Sequence, residues 1–304
     1  MSDNDTDFTI TADLKIAGAV SYWRLSGGTP LGALRGAWVE QGLDTTLLPE
    51  PPSDETVLRR ALNEVASKRR LVRPLKTRGS FLVVDEIPVG EDRLDWQPVM
   101  QVEMSDGGSP SFHGMGGGDY YELRDKIRDD FSRLRGELSP ADVSAWLVKL
   151  AEQVTSTSLR DSGGVYFVPK DGMDFWRKAA VAIQSASAHR IYKIPAVRNE
   201  ECVEAVLDAV VVETINEMDA LTRELQDDDA DMGTRALRTR AGRLSMLETK
   251  VNAYEAMLHV KGESGASEVK AKLDNLRERL GGLQGMVTAA ILVAEDARLQ
   301  AEAA

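Results

Sequence analysis

Seven side chains near the end of the chain, Val269, Leu273, Leu276, Leu280, Leu283, Val287 and Ala290, recur at spacings of 4, 3, 4, 3, 4 and 3. Such a repeat keeps one face of a helix apolar over more than three heptads, and another helix is the natural cover for a stripe that long. The preceding text supplies candidates. Leu237, Leu244, Val251 and Leu258 stand at strict sevens, with Leu247 and Tyr254 between them. Three helices are predicted, at about 199–226, 233–261 and 266–299. They are separated by the Asp-rich run Asp227–Asp231 with Gly233, and by Gly262-Glu-Ser-Gly265. Short breaks between long helices make antiparallel neighbours, so 198–304 reads as an antiparallel bundle or coiled coil. The seam residues Val269, Leu273, Leu276, Leu280, Leu283 and Val287 meet either this chain's own helices or those of a partner. Gly281, Gly282 and Gly285 interrupt the third helix and mark a kink, a close crossing or a boundary between two shorter helices.

Upstream the text is mixed, and the expected class is α+β, with a small mixed sheet and flanking helices. Residues 1–10 read as an acidic tail. Residues 11–104 read as helices followed by a β-hairpin, in the order of a winged-helix-like unit. Leu31, Leu34 and Trp38 fall on one helical face. Pro49-Glu-Pro-Pro52 ends one element, because proline lacks the amide hydrogen a helix interior needs, and Ser53 with Asp54 and Glu55 starts the next. Leu71–Leu75 and Ser80–Asp85 flank a Gly79 turn, with Pro74 consigning the first strand to a sheet edge. Another strand is predicted near Trp96–Met104. Residues 105–118, rich in Gly and Ser, read as a flexible loop. Residues 119–197 read as an α/β unit in which Gly164–Pro169, a helix and His189–Pro195 form a strand-helix-strand crossover with parallel neighbouring strands.

Several chemistries are disfavoured. A net charge of −12 opposes adhesion of the whole molecule to nucleic acid or anionic lipid, without forbidding a local basic face. Cys202 is the sole cysteine, so multi-cysteine metal sites are excluded; its apolar neighbours Val203, Val206 and Leu207 suggest a core position. No stretch reaches the ~18 apolar residues of a membrane span. Asp3, Asp5 and Asp7 do not fit a secretory or mitochondrial leader, which leaves the cytoplasm as the expected compartment. His113, His189 and His259 show no metal-ligand spacing and read as packed or solvated. Gly27-Gly-Thr-Pro-Leu-Gly32 lacks the lysine of a phosphate loop. Asp227, Asp229 and Asp231 match the start of a calcium loop, but Met232 and Arg238 stand where Gly and Glu are required. Glu248-Thr-Lys250 and Glu268-Val-Lys270 have the letters of a nuclease motif. Residues two apart on a helix point to different faces, so these read as surface charges. No catalytic residue, metal or cofactor is expected.

One local charge anomaly is basic. Residues 58–78 hold eight cations against Glu64 alone. Arg59, Lys68, Arg69, Arg70, Arg73, Lys76 and Arg78 are the candidate contacts to DNA or RNA phosphates, and the same charges equally suit the protein's own acids. The leading expectation is a non-enzymatic interaction or assembly protein that meets itself or another protein through its C-terminal helices, with no membrane. The alternative is a nucleic-acid-binding accessory protein using 58–78, and the third an enzyme of unidentified chemistry.

The stretches Tyr22-Trp-Arg-Leu-Ser-Gly27, Gly163-Gly-Val-Tyr-Phe-Val-Pro169 and His189-Arg-Ile-Tyr-Lys-Ile-Pro195, followed by long helices, resemble an uncharacterised family of prokaryotic and phage proteins. The resemblance covers most of the chain. It implies no activity and no site residues, only a leaning toward phage or mobile-element biology.

Overall fold

The computed structural model describes residues 15–89, 94–105, 107–116, 119–160, 164–227, 233–258 and 266–302. The acidic tail, most of the Asp227–Asp231 run, His259 and the 262–265 break lie outside them. In chain order the elements are β1 (Ile16–Arg24), β2 (Thr29–Pro30), α1 (Leu31–Glu40), α2 (Asp54–Val65), β3 (Arg70–Pro74), β4 (Ser80–Pro88), β5 (Leu94–Met104), β6 (Pro110–Gly114), α3 (Tyr120–Leu134), β7 (Glu137–Leu138), α4 (Pro140–Gln153), β8 (Thr157–Ser158), β9 (Val165–Pro169), α5 (Met173–Ala186), β10 (Arg190–Val197), α6 (Glu200–Asp227), α7 (Thr234–Leu258) and α8 (Ala266–Glu302). The class is α+β, with three small antiparallel sheets. Two compact units share the chain. One comprises Met1–Arg24, Leu147–Ala180 and Arg190–Ala304; the other comprises Leu25–Trp146 and Val181–His189.

In the second unit, local signals start the helices. The Ser53 hydroxyl accepts from the Thr56 amide at the head of α2. At α4 the Ser139 and Asp142 side chains each accept from the other's backbone amide, a reciprocal cap. Strands β3-β4-β5-β6 form an antiparallel meander with β3 at the edge, where Pro74 belongs. Val57, Leu58 and Leu62 of α2 and Leu123, Ile127 and Phe131 of α3 pack on one face of it, against Val83, Met100 and Val102. The winged-helix order therefore gives way to a four-stranded sheet with helices on one face. The difference arises at 105–118, where a strand replaces the expected loop. After a Ser105–Ser109 turn, β6 pairs with β5 from Met104↔Pro110 to Met100↔Gly114. Phe112 packs into the core beneath, and at Gly114 a Cβ would sit 3.1 Å from the Tyr120 ring. Glycine here permits a close approach and is not a sign of a loose chain.

In the first unit, the sheet order is β10-β1-β9-β8. The expected crossover strands, β9 and β10, are not neighbours. β1 lies between them and pairs antiparallel with both. A Cβ on Gly18 would lie 2.2 Å from the Val168 carbonyl oxygen, so glycine is required for β1 to sit against β9. Helices α6, α7 and α8 pack together over one apolar core with Ala17 and Phe167. Their positions agree with the heptad reading. Helix α8 runs through Gly281, Gly282 and Gly285 without a break, and nothing lies within 4 Å of a Cβ built at any of the three. They are solvent-facing helix positions, not a crossing point or a boundary.

Candidate binding surfaces

Strand alternation puts Val20, Tyr22 and Arg24 of β1 on the same face as Ile194, Tyr192 and Arg190 of β10, each directly opposite its partner. Tyr22 and Tyr192 stack at 4.7 Å with planes 16° apart, yet they remain 37% and 39% exposed. Ile194 is exposed beside them. The other face is closed. There the buried Ser21 hydroxyl donates to the Tyr192 carbonyl oxygen at 2.9 Å and accepts from the Trp176 indole of α5 at 2.8 Å. Trp23 stacks on Tyr166 at 5.3 Å and meets Trp176. A Cβ on Gly164 would lie 2.6 Å from the Trp23 ring. A packed aromatic layer beneath thus holds the exposed tyrosine rungs in register.

A second cluster lies inside the first unit. Glu213 of α6 gathers three donors on one oxygen, Oε2. These are the Lys250 ammonium of α7 at 2.5 Å, the Ser158 amide at 3.2 Å and the Thr157 hydroxyl. Lys250 is only 9% exposed. Burial pushes its ammonium below the ordinary lysine value, and the Glu213 charge opposes that shift. Burial and the Glu213 charge raise the Tyr254 hydroxyl well above its usual range. That hydroxyl donates to the Phe167 carbonyl at 3.5 Å. Glu152, at the exposed rim, is raised by burial and by Glu217. Desolvation disfavours each charged form, and the buried Lys250 cation is paired in place with the Glu213 carboxylate. Among the described residues no group of three His, Cys, Asp or Glu side chains is arranged to hold a metal ion.

The model of a family of unknown function (DUF6744) matches residues 18–290. The chain belongs to this family. No curated protein and no solved structure matches it. The matched span begins within β1 and contains β9 and β10, the strands whose residues carried the resemblance read from the sequence, and the sheet brings those three strands side by side.

The basic segment of this family member is less uniform than its sequence. Arg70 makes a two-pronged bond to Asp85 at 2.6 and 2.7 Å with Asp119 at 3.8 Å, and the Asp85 bond raises its pKa. Arg78 pairs with Glu55 at 2.9 Å, and Arg60 with Asp142 at 2.8 Å. Arg59, Lys68, Arg69, Arg73 and Lys76 are exposed. Arg70 and Arg73, three apart on β3, stand on opposite faces. The segment is therefore not one cationic face.

The heptad seam is already covered. Leu273, Leu276, Leu280, Leu283 and Val287 are at most 6% exposed, packed in one cluster with Leu244, Val251 and Tyr254 of α7 and Leu207, Val210 and Leu221 of α6. The side chain of Val269 lies outside the described residues. As a surface for a partner helix the seam is corrected by this packing, because the chain's own helices fill it. Lys250 is a further correction, since it is buried and not a surface charge. Its place between Leu247 and Tyr254 on the apolar stripe was the available signal. His189 is packed, as expected. Its Nδ1 accepts from the Ser26 amide at 3.1 Å and its Nε2 lies 2.8 Å from the Thr29 hydroxyl. Cys202 is half-buried against the helical core, and burial raises its thiol pKa.

Proposed function

We propose that this protein is a non-catalytic binding protein and that its ligand lies on the face shared by β1 and β10. The observation that carries the reading is the exposed, mutually stacked Tyr22–Tyr192 pair held on a rigid antiparallel sheet. Large aromatic rings lose apolar hydration when covered, and a patch of them left in water is typical of a contact surface. The Glu213–Lys250 cluster supports the non-catalytic part, since its lysine is buried and its donors are engaged with one another.

Tyrosine nitration of the full chain, mapped by mass spectrometry, tests this with Tyr121 (69% exposed) as an internal reference. Pools of random-sequence single-stranded oligonucleotides, duplexes and peptides are added in turn. At least one pool is expected to protect Tyr22 and Tyr192 while Tyr121 still reacts. Equal labelling with every pool overturns the reading.

A second reading keeps association through the C-terminal helices but moves it to the outer face of α8. Met286, Leu292 and Val293 are 56%, 59% and 70% exposed there, and Met286 and Val293 lie two turns apart. A dimer by light scattering that Met286→Lys with Val293→Lys converts to a monomer is its expected signature. A monomer in the unaltered protein removes it.

A further inference from the structure

We infer that two copies of this chain pair through the open face of the β3-β4-β5-β6 sheet, packed sheet against sheet about a two-fold axis. Strand β4 is the first ground. It contains the unbroken apolar run Phe81-Leu82-Val83-Val84. Phe81 and Val83 enter the core beneath α2 and α3, so Leu82 and Val84 belong to the other face. An antiparallel sheet with one wet face ordinarily carries polar residues there. Here the apolar surface continues onto the neighbouring strands. Leu71 of β3 and Pro98 of β5 stand on either side of Val84. The extra residue Val99 enters the core and shifts the alternation of β5, which brings Trp96 and Leu94 to the same open face. Among the described residues the helices packed on this sheet, α2 and α3, take the opposite face, and Trp96 and Leu94 are left 43% and 62% exposed.

The charges on this face are the second ground, and they favour a second copy over a ligand of one sign. Arg73 lies on the rung Arg73–Leu82–Gln101, and Glu86 on the rung Glu86–Trp96. The rung Leu71–Val84–Pro98 runs midway between them. At about 3.3 Å per residue the two outer rungs are about 13 Å apart, too far for Arg73 and Glu86 to pair within one chain. Neither has an ion-pair partner among the described residues. A two-fold axis along the middle rung turns one outer rung onto the other. Each Arg73 then falls beside the partner's Glu86, and each Trp96 covers the partner's Leu82 and Gln101. Glu103 is held by Ser80 and Gln101 one rung farther out, while Arg69, in the turn before β3, and His113, on β6, lie at the two edges. With its two neighbours the nine-residue β4 offers a footprint of about 30 by 14 Å. That is at the small end of protein interfaces, so a dimer of micromolar affinity is expected.

Light scattering of the full chain on a sizing column, loaded at about 1 to about 100 μM, tests this. Salt is held at about 0.15 M, where repulsion between two copies of net charge −12 is screened beyond about 8 Å. The mass should rise from one copy toward two across that range. Trp96→Ala and Leu94→Lys should each raise the dissociation constant about tenfold. Both side chains are exposed, so neither change should alter the circular dichroism spectrum, which is recorded as a check. Arg73→Glu and Glu86→Arg should each weaken the dimer, whereas the chain carrying both should associate as the unaltered protein does. A monomer at the highest loading overturns the inference. So does a dimer that Met286→Lys with Val293→Lys dissociates and Trp96→Ala leaves intact, which places association on α8 instead. A double charge variant no tighter than either single one overturns the two-fold arrangement.

Discussion

Removing Glu213 should destabilise the protein far more than removing its partner Lys250. In Glu213→Ala a lysine whose side chain is 11% exposed loses its ion pair, and only the more distant Glu152 and Glu217 charges remain to favour its ammonium among the described residues. Breaking a buried pair from the acid side leaves an uncompensated charge, at about 3–5 kcal/mol. A ceiling follows from the lysine itself. Relative to an ordinary value of 10.5 it can shed its proton at pH 7 for about 3.5 units at about 1.4 kcal/mol each, or about 5 kcal/mol. In Lys250→Met the carboxylate keeps the Ser158 amide and the Thr157 hydroxyl and is 34% exposed, while Met fills the aliphatic space. That change should cost about 1 kcal/mol or less, and the double variant should recover most of the loss in Glu213→Ala.

The pH dependence separates this account from simple loss of packing. Burial lowers the folded pKa of Lys250, so between that value and 10.5 the folded state holds fewer protons than the unfolded one. Unfolding takes up a proton there, and stability rises with pH across that window. The penalty of Glu213→Ala should therefore shrink as pH rises toward 10, as the ceiling falls. Urea unfolding followed by circular dichroism at several pH values measures all of this. Equal losses in the two single variants, or a Glu213→Ala penalty independent of pH, would refute the reasoning.

Four further outcomes are expected. Gly281→Ala, Gly282→Ala and Gly285→Ala should each stabilise α8 by up to about 1 kcal/mol, since each Cβ meets open space, and thermal unfolding shows whether the midpoint rises. Thr214→Val should stabilise by about 1 kcal/mol, because the Thr214 hydroxyl is buried without a hydrogen-bond partner among the described residues; a lower melting temperature would count against it. Gly18→Ala should disrupt the β1–β9 pairing, seen as lost amide protection in Val20 and Phe167 by hydrogen exchange. Burial lowers the folded pKa of His189 below 6.5, so stability should fall on acidification from 6.5 toward that value and level off below it. His189→Gln should flatten that part of the pH profile.

Much of the molecule is legible in one dimension, and so are some of the errors. Ser53 and the Ser139–Asp142 pair start helices where local chemistry says they should, and Pro74 marks an edge strand. The β1 strand left almost no trace. Its Ala17-Gly18-Ala19 run is buried and has neither the alternation nor the branched side chains of an ordinary strand. Likewise β6 hid in a Gly/Ser-rich stretch, because its stability comes from pairing with β5 and from Phe112 packing into the core, not from intrinsic preference.

By itself the sequence determined the three C-terminal helices, the stripe each must bury, the capped helix starts and the place of the local basic excess. These depend on side chains within a turn or two of one another. Only the tertiary structure decided what covers each stripe. It filled the α8 seam from within the chain, drew Lys250 into a buried pair with Glu213, and paired Arg70 with Asp85. It also placed β1 between β9 and β10, so that Tyr22 stacks on Tyr192 over a Ser21 hydroxyl bonded to a carbonyl 171 residues away. Periodicity records that a face is apolar; its partner arrives from a remote part of the chain, and no local pattern carries that address.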